Sequence, residues 1–222
     1  MTAAVNNKPT KFIIVRHGET VANKEHILQG WMESPLSENG ILQAKSVANY
    51  LRDAAFSVAY TSDLSRAVNT IQKVLEFHPD VPLHLEPALR EWNLGILQGQ
   101  RNDVLWEKYP DMMCAFRNEH CSPDIPDGEK RAEFQLRINN IFRTLAERHP
   151  GETVLICTHG GALQRIFRMV TGALDEDNLL PSSTNTSVSE IQFIHEKQKW
   201  QLLCWNKADH LKDLTITELF TA

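Results

Sequence analysis

Two histidines in this sequence stand in the same local setting, each between a short apolar run and a glycine. Residues 12–15 lead into Arg16-His17-Gly18, and residues 153–157 lead into Thr158-His159-Gly160. A neutral imidazole is a nucleophile, and the arginine fork matches the oxygens of a phosphate. Helix starts after the two glycines would add backbone N–H donors for the same anion. The pattern predicts a phosphate-binding pocket that presents a histidine.

Two other interpretations of these histidines are open at this point. In the first, His17 is a solvated residue in a surface turn that follows a core strand. In the second, the paired imidazoles hold a metal ion. A catalytic zinc ion usually takes three protein ligands, and Arg16 beside His17 would repel a cation. We therefore expect no metal at this site.

The periodicity of apolar residues predicts elements that bring the two histidines together. Residues 21–36 and much of 86–128 show no clear period, so we expect loops there, with residues 92–128 an insertion that covers the site. Thr61-Ser62-Asp63 is expected to cap the helix that follows it. Strands are predicted near 12–15, 56–60, 82–85, 153–157, 188–194 and 200–205, and helices near 37–52, 64–77, 104–109, 112–118, 129–149 and 162–171.

This order of elements predicts an α/β fold with three layers, α/β/α, around a mostly parallel central sheet. If both histidine-bearing strands lie in that sheet, both histidines lie at its carboxyl edge, where open α/β sheets bind ligands. We expect residues 1–10 to form a flexible N-terminal segment and residues 11–222 to form a single domain.

Composition excludes several classes of function. The chain has 222 residues and 23 basic against 28 acidic side chains, a net charge of −5, so no basic surface for nucleic acid is expected. No apolar run reaches the length of a membrane span, and residues 1–11 lack the apolar segment of a signal peptide. The four cysteines show no C-x-x-C spacing. These features favour a cytoplasmic protein without a membrane partner.

Several short motifs between residues 11 and 213 resemble one known family. The first is Arg16-His17-Gly18-Glu19-Thr20 with Asn23. The others follow in the order of that family: Ser34-Pro35-Leu36-Ser37 with Gly40, Gln43 and Ala44; residues 60–70 with Arg66; Leu89-Arg90-Glu91 with Gly95 and Gly99; Asp127-Gly128-Glu129 with Arg137; Thr158-His159-Gly160-Gly161; and Asn185-Thr186-Ser187-Val188 with Trp205, Asp209, His210 and Leu211. Together they resemble the histidine phosphatase superfamily in its phosphoglycerate mutase-like branch.

The resemblance implies a role for each matching residue. His17 would attack phosphorus and form a phosphohistidine, and Glu91 would be the general acid and then the general base. The resemblance implies no metal and no cofactor, and a small phosphomonoester as substrate. The phosphoryl oxygens would be held by Arg16, Arg66, Asn23, His159 and Gly160, and His159 would also be catalytic, because it would stabilise charge in the transition state.

Simpler roles are open for three of these residues. Arg66 lies on a predicted helix and could be an ordinary surface cation. Glu91 could pair with its neighbour Arg90, and Asn23 could bond to its own backbone.

Departures from the family's mutases favour hydrolysis. The insertion lacks an adjacent arginine pair, Leu94 stands where the mutases place a tyrosine, and Gly161 stands where they have asparagine. The alternatives are a mutase that depends on 2,3-bisphosphoglycerate and an inactive phosphate-binding regulatory protein. Monomer and homodimer both stay open. Aromatic and methionine side chains in the predicted cover suggest a partly apolar substrate: Trp31, Trp92, Trp106, Met112, Met113 and Phe116.

Overall fold

The structure, a computed structural model, describes residues 8–118, 121, 123–173 and 181–216. No helix in these ranges has the length and apolar character needed to cross a bilayer. The strands are β1 (Thr10–Arg16), β2 (Val58–Thr61), β3 (Leu83–Leu85), β4 (Thr153–Thr158), β5 (Val188–Ile194) and β6 (Lys199–Lys207). The α-helices are α1 (Val21–Lys24), α2 (Glu38–Tyr50), α3 (Ser65–Leu75), α4 (Asn102–Lys108), α5 (Pro110–Arg117), α6 (Arg131–Arg148) and α7 (Gly160–Thr171).

The six described strands form one sheet in the order β3-β2-β4-β1-β5-β6. The first four are parallel, β5 runs antiparallel to β1, and β6 runs antiparallel to β5. In the register of β1 and β4, Arg16 is paired with Thr158, so the residues that follow them emerge side by side. The predicted α/β class with a mostly parallel sheet is confirmed.

Helices cover both faces of the central strand β1. Phe12 and Ile14 point into one core with residues of α6 and α7, whereas Ile13 and Val15 point into a second core with residues of α2 and α3. A strand buried on both faces needs an unbroken apolar run, which is what residues 12–15 provide. The three-layer arrangement therefore follows from the apolar runs of the strands together with the amphipathic helices.

The predicted loop over residues 21–36 contains a short helix, so that prediction was wrong for Val21–Lys24. Thr20 and Asn23 form a capping box, in which each side chain bonds the other residue's backbone N–H. Four residues are too few to show a helical period, which is why the pattern of apolar residues missed α1.

The predicted cap of α3 was also wrong. The N-cap residue is Leu64, and its side chain gives no hydrogen bond. A glutamate from another loop caps the helix instead. Its Oε2 atom, on Glu33, accepts from the backbone N–H of Ser65 at 3.1 Å. The Ser62 hydroxyl accepts from the N–H of Leu64, the residue before the helix, at 3.3 Å.

The first strand begins earlier in the chain than the sequence predicted. Thr10, placed in the predicted flexible segment 1–10, is fully buried and begins β1. Residues 1–7 lie outside the described residues.

The predicted insertion, residues 92–128, adds to the core. Leu97, Leu105 and Met113 are fully buried and pack in the same cluster as Phe134 of α6. Part of the segment therefore contributes to the hydrophobic core on the side of the sheet that α6 covers.

We predict that Phe142→Ala destabilises the fold strongly, because Phe142 is fully buried and its ring centroid lies 5.3 Å from that of Phe12. The expected loss is about 3–5 kcal/mol in the free energy of unfolding, measured by urea titration. Leu136→Ala on the same helix is the control, since Leu136 is 59% exposed, and it should change stability by less than about 0.5 kcal/mol. Equal losses would contradict this packing.

Candidate active site

The two predicted histidines meet at the carboxyl end of β1 and β4. The N–H of His17 donates to the carbonyl of Thr158 at 2.9 Å, which continues the pairing of the strands by one residue. The ring centroids of His17 and His159 lie 5.1 Å apart, and both side chains are buried. The surface-turn interpretation of His17 was therefore wrong.

His17 is held as a neutral imidazole with one nitrogen available. Its Nδ1 lies 2.7 Å from the carbonyl oxygen of Gly18, which can only accept, so Nδ1 carries the proton. Nε2 has no hydrogen-bond partner among the described residues. Burial lowers the pKa of His17 well below 6.5, and the charges of Arg66 and Arg16 lower it further. The lone pair of Nε2 is therefore free to act as a nucleophile.

Arg66 reaches from α3 into the same pocket and is only 1% exposed. Its Nη2 donates to the carbonyl of Gly30 at 2.7 Å and its Nη1 to that of Met32 at 2.9 Å. These bonds fix the loop after α1 around the guanidinium. The alternative that Arg66 is a surface cation was wrong.

His159 is neutral for the same reasons as His17. Its Nδ1 accepts from Arg66 Nε at 3.2 Å, so the proton lies on Nε2, which is 2.8 Å from the hydroxyl of Ser62. Burial and the charges around it lower the pKa of His159 well below 6.5. Because both ring nitrogens are engaged, His159 can bind a phosphoryl oxygen only by giving up one of these bonds.

Arg16 supplies a second buried cation with unused hydrogen-bonding capacity. Its Nη1 donates to the carbonyl of Ser183, while Nε is buried and has no hydrogen-bond partner among the described residues. A Cβ added at Gly160, the first residue of α7, would lie 3.4 Å from the guanidinium carbon. Burial lowers the pKa of Arg16, and likewise that of Arg66, to about 10. Two buried cations and a helix N-terminus favour an anion here and disfavour a metal ion.

Glu91 lies beside this pocket. Its two carboxylate oxygens accept from the backbone N–H groups of Gly161 and Trp92, each at 2.8 Å. Arg90 instead pairs with Asp63 through two bonds of 2.6 and 2.5 Å, so the alternative pairing of Glu91 with Arg90 was wrong. A Cβ at position 161 would collide with the carboxylate, which makes the glycine necessary for this placement.

Asn23 does bond to the local backbone, as the simpler interpretation proposed. Its Oδ1 accepts from the N–H of Thr20 at 3.1 Å. The amide nitrogen of Asn23 has no acceptor among the described residues, so a bond from it to a phosphoryl oxygen stays a prediction. Glu19 supports the same loop, accepting from the hydroxyl of Ser37 at 2.5 Å.

The segment with Asn185 and Thr186 holds the backbone of the first motif, a role that the sequence did not predict. Asn185 Nδ2 donates to the carbonyl of His17 at 3.0 Å, and the N–H of Thr186 donates to that of Arg16 at 3.1 Å. The carbonyl of Thr186 lies 3.1 Å from His210 Nε2. The sequence did mark these residues, since they belong to the last motif of the family resemblance. A motif match does not show, however, which atoms they contact.

The chain is similar to several known proteins. The family model described as histidine phosphatase superfamily (branch 1) matches residues 12–208. A protein of Arabidopsis thaliana named metal-independent phosphoserine phosphatase is 34% identical over 216 residues, 95% of this chain and 87% of that protein. The 2,3-bisphosphoglycerate-dependent phosphoglycerate mutase 2 of Gloeobacter violaceus is 32% identical over 159 residues, 70% of this chain and 73% of the mutase. The solved structure of Bacillus stearothermophilus YhfR has a TM-score of 0.84 and 28% identity, covering 91% of this chain and 100% of that chain.

We predict that His17 and His159 stay neutral as the pH falls through 6.5, the usual pKa of histidine, and titrate only well below it. The unfolded chain takes up protons near pH 6.5 while these folded histidines do not. The stability they contribute is therefore complete above pH 6.5 and is lost as the pH falls. Nitrogen-15 chemical shifts of the imidazoles measure this, with the urea-unfolded protein as control. A folded midpoint at or above 6.5 would contradict the assignment.

Proposed function

Because the chain belongs to the histidine phosphatase superfamily (branch 1) and is a phosphoric monoester hydrolase of that family, we propose that it cleaves small phosphomonoesters through a phosphohistidine on His17. The observation that carries the proposal is the unprotonated Nε2 of His17, in a pocket where the charges of the buried Arg16 and Arg66 act on the imidazole. A phosphate drawn into this pocket would lie against a neutral nucleophile.

In the first step, the lone pair of Nε2 attacks phosphorus while the bond from phosphorus to the ester oxygen breaks. Glu91, acting as the general acid, gives a proton to that oxygen, so the alcohol leaves neutral. Arg16 and Arg66 stabilise the charge on the transferring oxygens. The imidazole gains positive charge as the bond forms, and the Gly18 carbonyl at Nδ1 stabilises it.

In the second step, water breaks the phosphohistidine. The Glu91 carboxylate takes a proton from the water as its oxygen attacks phosphorus, and the bond from Nε2 to phosphorus breaks. Inorganic phosphate leaves, and His17 and Glu91 return to their starting states. The two backbone N–H groups that hold the carboxylate suit a group that must serve both steps from one position.

Phosphoserine is the first substrate to test, because the Arabidopsis relative carries that activity in its name. The mutase of Gloeobacter violaceus makes a 2,3-bisphosphoglycerate-dependent mutase the second candidate. Against the mutase, Leu94 is a buried core residue and Gly161 leaves room for the Glu91 carboxylate. Against an inactive binding protein, all the residues of the proposed chemistry are present. A cytoplasmic location and a covering role for residues 92–128 stay predictions, and monomer and homodimer both stay open.

We expect wild-type protein in excess chelator to release phosphate from phosphoserine and p-nitrophenyl phosphate. His17→Ala should lower turnover by more than about 1,000-fold, because the other imidazole of the pocket, His159, has both ring nitrogens engaged by Arg66 and Ser62. Brief incubation with phosphorus-32 substrate should label wild type but not His17→Ala.

The matched control is His84→Ala, an exposed histidine on the edge strand β3, which should keep full activity. Activity retained by His17→Ala, or lost on adding chelator, would overturn the mechanism. Conversion of 3-phosphoglycerate to its 2-isomer without phosphate release would instead favour the mutase.

A further inference from the structure

Arg137 belongs to a motif for which the proposed chemistry has no role, yet it touches the segment that carries Glu91. From α6 its Nη1 donates to the carbonyls of Ala88 at 2.9 Å and Arg90 at 3.0 Å. Its Nη2 donates to the carbonyl of Glu91 itself at 3.1 Å. One guanidinium thus bonds three carbonyls within four consecutive residues.

Arg137 is itself fixed by an acidic partner. Glu129 accepts from its Nε at 2.9 Å and its Nη2 at 2.7 Å, and the two side chains are only 19% and 14% exposed. The carbonyl of Glu129 accepts from Trp92 Nε1 at 2.6 Å. A bidentate pair shielded from solvent holds a single geometry, which a lysine could not reproduce.

These contacts hold Glu91 at two points. The backbone is held by Arg137 and by Trp31, whose Nε1 donates to the same Glu91 carbonyl at 2.7 Å. The carboxylate is held by the N–H groups of Gly161 and Trp92. Since Glu91 follows a short turn and lies on neither a helix nor a strand, these contacts set its position in place of a regular element.

We propose that Arg137, locked by Glu129, is a positioning residue that sets the reach of Glu91 toward the leaving-group oxygen. The inference rests on the proposed function, in which Glu91 is the proton donor. Misplacing a catalytic group by about 1 Å can cost about 100-fold in rate. Loss of the guanidinium therefore weakens proton transfer more than it weakens attack by His17.

The test compares two esters that differ in their need for a proton. Nitrophenolate leaves as a stable anion, whereas the alkoxide of an alkyl phosphate such as glycerol 2-phosphate must be protonated. The measurement is kcat/KM, which reports the steps up to transfer of the phosphoryl group to His17. Arg137→Gln should lower it about 30-fold or more for the alkyl ester and less than about 3-fold for p-nitrophenyl phosphate.

Two further variants keep the test informative if Arg137→Gln fails to fold. Arg137→Lys keeps the charge but loses the fork, and Glu129→Gln loosens the arginine, so both should show the same preference for the nitrophenyl ester. Arg143→Gln is the matched control, because Arg143 forms an exposed pair with Glu147 on the same helix. Both of its kcat/KM values should match wild type.

The Glu91→Gln variant shows whether a negative result concerns the positioning role of Arg137 or the proposed function itself. It should discriminate between the esters more strongly than Arg137→Gln, and the double variant should be no worse on the alkyl ester than Glu91→Gln alone. If Glu91→Gln discriminates and the Arg137 variants lower both esters equally or neither, the positioning role is wrong. If Glu91→Gln itself does not discriminate, proton donation by Glu91 is wrong, and the role of Arg137 falls with it.

Discussion

The burial of two guanidinium groups beside two neutral histidines is the constraint on which this site depends. Arg16 and Arg66 are almost inaccessible, and the charge of Glu91 only partly offsets theirs. Buried charge is costly unless polar partners surround it. The protein supplies most of those partners as backbone carbonyls, which leaves the positive charge of the pocket intact for an anion. Burial keeps both imidazoles neutral, and the same positive charge lowers their pKa values further, so the charge that favours anion binding also supports nucleophilicity.

The carbonyl partners of these arginines come from loops that are distant in sequence. Arg66 donates to the carbonyls of Gly30 and Met32, and Arg16 donates to that of Ser183. Each bond therefore orders a loop as well as solvating a cation. The parallel sheet makes this possible, because strands β1, β2 and β4 all end at one edge and their following segments converge there. The architecture concentrates arginines at that edge within a chain of net negative charge.

Glu91 is held by a different means. It sits between a helix N-terminus, which bonds its carboxylate, and the Arg137–Glu129 pair, which bonds its backbone. A proton donor fixed by backbone contacts can be close to the buried arginines without forming an ion pair with them. The nucleophile and the proton donor thus belong to separately anchored segments.

The sequence by itself determined the strands, most helices and the identity of the residues that meet at the sheet edge, because apolar period and motif order are local properties of the chain. It also named Asn185, His210 and Arg137 through the family resemblance, without their contacts. The tertiary structure alone decided that Arg66 is buried, that Arg90 pairs with Asp63, that Glu33 caps α3, and where Arg137 binds. The reason is physical: these bonds end largely on carbonyls or on side chains far along the chain. Every residue carries a carbonyl, so only the fold selects which one accepts.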